Sequence, residues 1–318
     1  MYKLGITKPG DLARPTTLFG RKRPVSFSLL KTSNSPSSSE IARFESVIKT
    51  AGLASGVSKT TYGERLNDVD TYAIRVMKDI YSLDSQLEIH DMGVSDAVLS
   101  MKWAQQLFSL FLRARFTASD KVLYFTEAVW AASGETYILE PDGTPIQYTN
   151  RSFVIWLPRP EHPVYVLNSV VRRWALRHIA RLKASAKEVS WRSVPDTSVV
   201  EHKGWHFRQI PLVHPKVLST RNERFRVVEA DAFLPSRFKY DVIRAMNLFQ
   251  KNIFPTEKLR IGINSVFSSL SEGGLFILGK TVESEGARND VSIFQKMSGR
   301  FVLIEKIGMG SELESLVL

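Results

Sequence analysis

The sequence predicts an α/β fold on a doubly wound, mainly parallel sheet, and three observations carry that prediction. From residue 87 onward, short apolar runs alternate with amphipathic helical patterns. This is the order expected when helices cross between parallel strands. Acidic and small residues stand just after several of those runs, where open α/β sheets hold their ligands. The composition is that of a globular chain: 318 residues, 43 % apolar and 24 % charged, enough to bury a sizeable core.

Residues 1–40 read as a basic, flexible tail. Lys3, Lys8, Arg14, Arg21, Lys22, Arg23 and Lys31 stand against Asp11, and a Ser/Asn/Pro/Thr tract spans 32–39, a solvated pattern. Residues 41–86 read as an N-terminal helical region. Ile41, Phe44, Val47 and Ile48 recur at helical spacing up to Gly52, and 69–81 repeats the pattern. Residues 87–318 then read as one domain with an insertion at about 121–204.

Within that domain the pattern predicts a strand at 87–90, a helix at 97–113, a strand at 115–118 and a helix at 121–132. A hairpin follows, 137–139 with 146–148, around Glu140-Pro141-Asp142-Gly143-Thr144-Pro145. Residues 153–157 give another strand. Residues 165–187 give a basic helix with Val171, Trp174, Ala175, His178 and Leu182 along one stripe. Strands at 225–229 and 241–243, a helix at 259–270, and strands at 275–278 and 301–304 complete the order.

Composition also narrows the chemistry. There are 43 Lys plus Arg against 32 Asp plus Glu, a formal charge of +11, which favours an anionic partner. Cysteine is absent. That excludes disulfides, thiolate metal clusters and cysteine nucleophiles, and it favours a reducing, cytoplasmic setting. No run approaches the roughly 18 apolar residues of a membrane helix. The N-terminus lacks the apolar core of a secretory signal.

The strand ends hold the chemistry-bearing residues. After the first strand comes Asp91-Met92-Gly93-Val94-Ser95-Asp96-Ala97, a small-residue turn that lets backbone N–H groups approach a ligand. Asp120 follows the second strand, suited to ribose hydroxyls. Glu229-Ala230-Asp231-Ala232-Phe233 follows the 225–229 strand, suited to an adenine amino group. Arg244-Ala245-Met246-Asn247 follows the next, and Ser271-Glu272-Gly273-Gly274-Leu275 turns into a late strand.

In order and spacing this set resembles the class I S-adenosylmethionine-dependent methyltransferases. Asp91/Gly93, Asp120, Asp231, Phe238-Lys239-Tyr240-Asp241-Val242-Ile243 and Glu272-Gly273-Gly274 look like that family's motifs. The Val94-Ser95-Asp96 turn with Phe116-Thr117-Ala118-Ser119-Asp120 is most similar to the chemotaxis-receptor branch. The resemblance implies a Rossmann-like sheet with helices on both faces, an antiparallel final strand and an inserted substrate cover. It implies S-adenosylmethionine as cofactor, held by Asp91, Gly93, Ser95, Asp96, Asp120, Asp231, Ala232 and Asn247. The chain departs from the pattern where Ser95 and Ala97 replace the second and third glycines and Glu272 replaces a proline.

Some methyl acceptors are excluded or unsupported by sequence. Cytosine-C5 methylation needs a cysteine, and there is none. The Asn/Asp-Pro-Pro-Tyr box of amino-group methylation is replaced by Ala245-Met246-Asn247-Leu248. His206 and His214, near the end of the insertion, are the candidate general bases. No histidine spacing matches a metal motif, so no metal is expected. A small-molecule acceptor is the favoured partner. Nucleic acid is the alternative, through the basic tail and Arg173, Arg177 and Arg181. A non-catalytic cofactor binder on a degenerate scaffold and an RNA-directed methyltransferase stay open as alternatives.

Overall fold

The computed structural model describes residues 17–18, 21–22, 25–54, 59, 64–150, 154–158, 170, 173–176, 179, 182, 198–283 and 287–318. In chain order the elements begin with β1 (Thr17–Leu18), β2 (Arg21–Lys22), a 3₁₀ turn (Phe27–Leu30), α1 (Ser38–Ile48), α2 (Asn67–Ile80), β3 (Glu88–Met92), α3 (Val98–Leu110) and β4 (Arg115–Asp120). Next come β5 (Tyr124–Trp130), β6 (Thr136–Leu139), β7 (Pro145–Thr149), β8 (Val154–Trp156), β9 (Val200–His202), β10 (Trp205–Pro211) and α4 (Pro215–Leu218). The last are β11 (Phe225–Glu229), β12 (Tyr240–Met246), α5 (Thr256–Ser269), β13 (Leu270–Val282), β14 (Arg288–Met297), β15 (Arg300–Ile307) and α6 (Glu314–Val317). The chain divides into two compact units, 1–60 with 122–219 and 61–121 with 220–318.

The second unit is the α/β body. Its sheet runs β11-β4-β3-β12-β13-β14-β15. The first five strands are parallel, and β14 and β15 close the edge as an antiparallel meander. The order reverses between β3 and β12, which makes that gap the topological switch point of a Rossmann-like, doubly wound sheet. Strand alternation sorts the side chains between faces. His90, Met92, Ile243 and Ala245 point one way, where α5 supplies Leu259, Ile263 and Val266 to a common core. Asp91, Ala118 and Arg244 point the other way, toward α3 and α2.

The first unit is an antiparallel sheet, β8-β7-β6-β5-β10-β9. Phe27 and Leu30 of the 3₁₀ turn and Phe44, Val47 and Ile48 of α1 pack with Phe125, Ile138 and Ile210 in one cluster. Residues read as tail therefore contribute core from Phe27 onward. Ser37 starts α1 through a capping box, its hydroxyl accepting from the Glu40 N–H while the Glu40 carboxylate accepts from the Ser37 N–H. The inserted segment continues to Ser219 and shares this unit with α1, whereas α2 belongs to the second unit.

Three sequence expectations change. The predicted helix at 121–132 is strand β5, because Phe125 faces one core cluster and Ala128 another. A strand buried on both faces loses its period-two signature. Strand β10, its partner from Trp205 to Pro211, lies in the stretch with no predicted element. Strand β14 was invisible because Asn289, Asp290 and Ser292 are buried polar residues that interrupt the apolar pattern. Asn289 Nδ2 is satisfied by Arg65 O and Asp68 Oδ1, both at 2.6 Å. Among the described residues no helix is long and apolar enough to cross a membrane.

Candidate functional site

The turn from β3 to α3 sits at the carboxyl end of the sheet beside the switch point. Gly93, Ser95 and Ala97 all adopt left-handed backbone, with φ of +71°, +59° and +63°. Two non-glycine residues thus follow the path that glycines would take, and the local hydrogen bonds show what holds them there. Gly93 N and Val94 N donate to Ser119 O at 2.8 and 3.1 Å. Ser95 N donates to Asp120 Oδ2 at 2.8 Å, so the acid ending β4 clasps the centre of the turn. Ala97 N closes on Val94 O at 3.0 Å. Asp96, buried, accepts from Val98 N at 3.2 Å, placing a carboxylate at the positive end of α3.

Ser95 Oγ is buried and has no hydrogen-bond partner among the described residues. Gly93 faces Leu248, the residue after Asn247. A Cβ built at position 93 would lie 2.9 Å from Leu248 Cδ1. Only glycine fits that approach.

Asp91 has a different role from the one its motif implied. Arg244, paired with it across β3 and β12, donates from Nε to Oδ1 at 2.8 Å and from Nη2 to Oδ2 at 2.5 Å. Ser100 Oγ donates to Oδ2 at 2.6 Å. Arg244 also pairs through Nη1 with Asp70 of α2, and its guanidinium carbon lies 3.9 Å from the Trp103 ring centroid. Arg244 is 1 % exposed. Burial alone opposes its charge, but Asp91 and Asp70 more than offset that and hold its pKa above the ordinary value. The Asp91 carboxylate is therefore committed to the interior, and this corrects its reading as a cofactor ligand.

The other expected residues distribute as follows. Asp231, after β11, pairs with Lys121 Nζ at 2.9 Å and accepts from Phe233 N at 3.0 Å. Burial raises its pKa, but the Lys121 and Phe233 hydrogen bonds outweigh that and leave it below the usual value. Ala232 packs at the edge of the α5 core. Asn247, at φ +58°, spends its amide on β13: Oδ1 accepts from Thr281 N at 2.7 Å and Nδ2 reaches Thr281 Oγ1 at 3.3 Å. It braces the wall and leaves Leu248 to face the turn.

The two candidate histidines, His206 and His214, belong to the first unit. His214 is 1 % exposed, with Nε2 at 3.1 Å from Glu45 Oε1 and Nδ1 accepting from Lys216 N at 3.2 Å. It is the N-cap of α4, and both ring nitrogens are used, so it has no lone pair for general-base work. His206 faces Glu201 at 3.3 Å on the β10–β9 pair. Arg173 is exposed. Arg177, Arg181, His178 and the basic residues up to Arg14 lie outside the described residues, as do the side chains of Arg21, Lys22 and Arg23. Among the described residues no cluster of three His, Asp or Glu side chains could hold a metal ion.

Sequence reasoning missed Arg244, Asp70 and Trp103. The signal was available in Asp241-Val242-Ile243-Arg244-Ala245-Met246: an arginine inside a buried strand requires buried counter-charges.

No family profile matches the sequence, and no curated protein matches it. Similar solved structures include the N-methyltransferase NodS from Bradyrhizobium japonicum WM9 in complex with S-adenosyl-L-homocysteine. That match has 9 % identity and a TM-score of 0.29, over 68 % of this chain and 61 % of NodS. The S-adenosylmethionine-dependent methyltransferase SibL matches at 12 % identity and TM-score 0.27, over 69 % of this chain and 38 % of SibL. The chain thus spans less than two thirds of both proteins. CalS10 from Micromonospora echinaspora, an amino pentose methyltransferase solved with S-adenosylmethionine bound, matches at 10 % identity and TM-score 0.29, over 80 % of each chain.

Proposed function

We propose that the second unit binds S-adenosylmethionine at the turn 93–97, and that the protein transfers its methyl group to an acceptor, with a small molecule favoured. The observation that carries the reading is the run of left-handed residues at 93, 95 and 97. A left-handed non-glycine residue costs about 1–2 kcal/mol, and backbone strain of this kind concentrates at ligand sites. Two further features fit the cofactor. Ser95 Oγ is buried without a partner, an unused donor and acceptor beside the turn. Gly93 lies in left-handed backbone against Leu248, so the turn carries no side chain at that point.

In this reading the Ser95 hydroxyl holds the methionine end, on a turn whose Gly93, Val94 and Ser95 N–H groups are spent on β4. Asp120 takes the ribose hydroxyls, and Asp231 with the Ala232 N–H takes the adenine edge. Asp96 and Asn247 shape the surrounding walls, and Asp91 acts only as a positioning residue through Arg244. When bound, the cofactor supplies a methyl group on a sulfonium centre, open to in-line attack. The chain's own residues align the acceptor with that methyl group and exclude water.

A calorimetric titration of the full chain with S-adenosylmethionine and its demethylated product tests the assignment. The expected result is saturable binding, weakened about tenfold or more by Asp120→Asn and by Asp231→Asn, each of which removes a charge-assisted hydrogen bond. No saturation at millimolar ligand, or affinity indifferent to both substitutions, rejects it.

One observation favours a second reading, a cofactor-binding protein without turnover. His214 has both ring nitrogens engaged, and both candidate histidines lie in the first unit whereas the 93–97 turn lies in the second. Binding without release of demethylated cofactor across an acceptor panel selects this reading, and release selects the first.

A further inference from the structure

We propose that the face of the sheet beneath the β11–β12 crossover is a second binding site, one that takes a small planar organic carboxylate. Parallel strands are usually joined by about a dozen or more residues that form a helix. Here β11 and β12 are joined by residues 230–239 without a helix, and the link must pass over β4 and β3. A loop covers less of the sheet than a helix does, and a cavity of about 300 Å³ is left beneath it. That volume is at the small end of ligand sites.

The floor of the cavity is buried and polar. His90 and Thr117 are 4 % and 2 % exposed and point into it from β3 and β4. His90 Nε2 is 2.7 Å from Ser119 Oγ, while its Nδ1 has no hydrogen-bond partner among the described residues. Arg226 of β11 donates from Nε to Thr117 Oγ1 at 2.8 Å. The two terminal nitrogens of its guanidinium have no partner, and no carboxylate pairs with it among the described residues. Asp231 also borders the cavity, but its charge is taken by Lys121. Arg226, itself exposed, lines the cavity with a guanidinium that no described carboxylate pairs, and a fork of N–H donors beside a hydroxyl suits a carboxylate.

The rest of the wall is aromatic and apolar. The Tyr240 ring lies 4.5 Å from His90, and the Arg226 guanidinium carbon is 5.5 Å from the Phe238 ring centroid. Leu234 and Phe238 are 67 % and 63 % exposed, an apolar rim left open by the described residues. Flat ring faces at that rim favour a flat ligand body. Burial lowers the His90 pKa to about 4, opposed by the charge of Asp91 and helped to a smaller degree by that of Arg226. The imidazole is neutral near pH 7, so the carboxylate meets the guanidinium as its charge partner.

Calorimetry on the full chain with benzoate, and with benzamide as a neutral analogue of the same shape, tests the site. The expected result is saturable benzoate binding, benzamide weaker by about tenfold or more, and a similar loss for benzoate in Arg226→Gln. Thr117→Val supplies a second variant with the guanidinium intact, expected to weaken benzoate severalfold. S-adenosylmethionine titrated in parallel is expected to bind Arg226→Gln as it binds the wild type, which keeps this test separate from that of the proposed function. Equal affinity for the two probes, benzoate binding unaffected by Arg226→Gln, or no saturation at millimolar benzoate overturns the proposal.

Discussion

Arg244 and Asp91 face each other across adjacent parallel strands in a two-point fork, Nε to Oδ1 at 2.8 Å and Nη2 to Oδ2 at 2.5 Å. Asp70 shares the same guanidinium from α2. One helix, two central strands and the residue two positions before the Gly93 turn are thereby joined through a single buried cation. Such a cluster is expensive to desolvate, and the greater cost falls on breaking it.

Arg244→Met should therefore destabilise the protein by about 3–5 kcal/mol, since it strands two carboxylates in the interior. Arg244→Lys should recover part of the loss, because a point charge cannot reproduce the fork. Asp70→Asn/Asp91→Asn/Arg244→Met should regain most of it by removing the stranded charges together. Urea unfolding measures all three. A single Met variant within about 0.5 kcal/mol of wild type, the range of an ordinary surface change, shows that the cluster does not hold the body together.

Asp70 makes stability depend on pH. Burial pushes its pKa from 3.8 up to about 6, with Asp91 and Asp68 adding to the rise and Arg244 opposing it. A folded-state pKa above the unfolded one means the native state binds the extra proton between those values. Its stabilising contribution is complete below pH 3.8 and is lost as pH rises through about 6. Asp70→Asn should match wild type near pH 4 and exceed it by about 2–3 kcal/mol near pH 7. Unfolding at both pH values reads the difference. A constant gap between the two proteins would count against the linkage.

The two left-handed non-glycine residues of the 93–97 turn should respond differently to glycine. Ser95→Gly relieves a positive φ and removes an orphaned buried hydroxyl, so a gain of about 1 kcal/mol is expected. Ala97 is fully buried, and losing its methyl group forfeits about 0.8 kcal/mol. That nearly cancels the relief of strain, so Ala97→Gly should be close to neutral. Thermal denaturation separates the pair. Equal losses for both variants would mean that the turn carries no strain.

Much of the second unit was legible in the chain. The 69–81 periodicity, the strands at 87–90, 115–118 and 225–229, and the helix at 259–270 correspond to α2, β3, β4, β11 and α5. The helices α2 and α5 bury one face at helical spacing, and the three strands are short and followed by small or acidic residues, so local pattern and final environment agree. The position of the turn and its acidic neighbours Asp96, Asp120 and Asp231 was legible for the same reason, because strand ends are marked by small and acidic residues.

What sequence alone determined was thus the alternation of elements, the place of the turn and the exclusion of cysteine chemistry. Tertiary structure decided what each side chain does. It turned Asp91 inward to Arg244, tied His214 Nε2 to Glu45, and made a strand of 124–130 by burying both of its faces. Each of these depends on a partner far away in the chain. A carboxylate, an imidazole or an apolar stretch has the same local pattern whether its partner is water, a ligand or another strand, and only the fold supplies the partner.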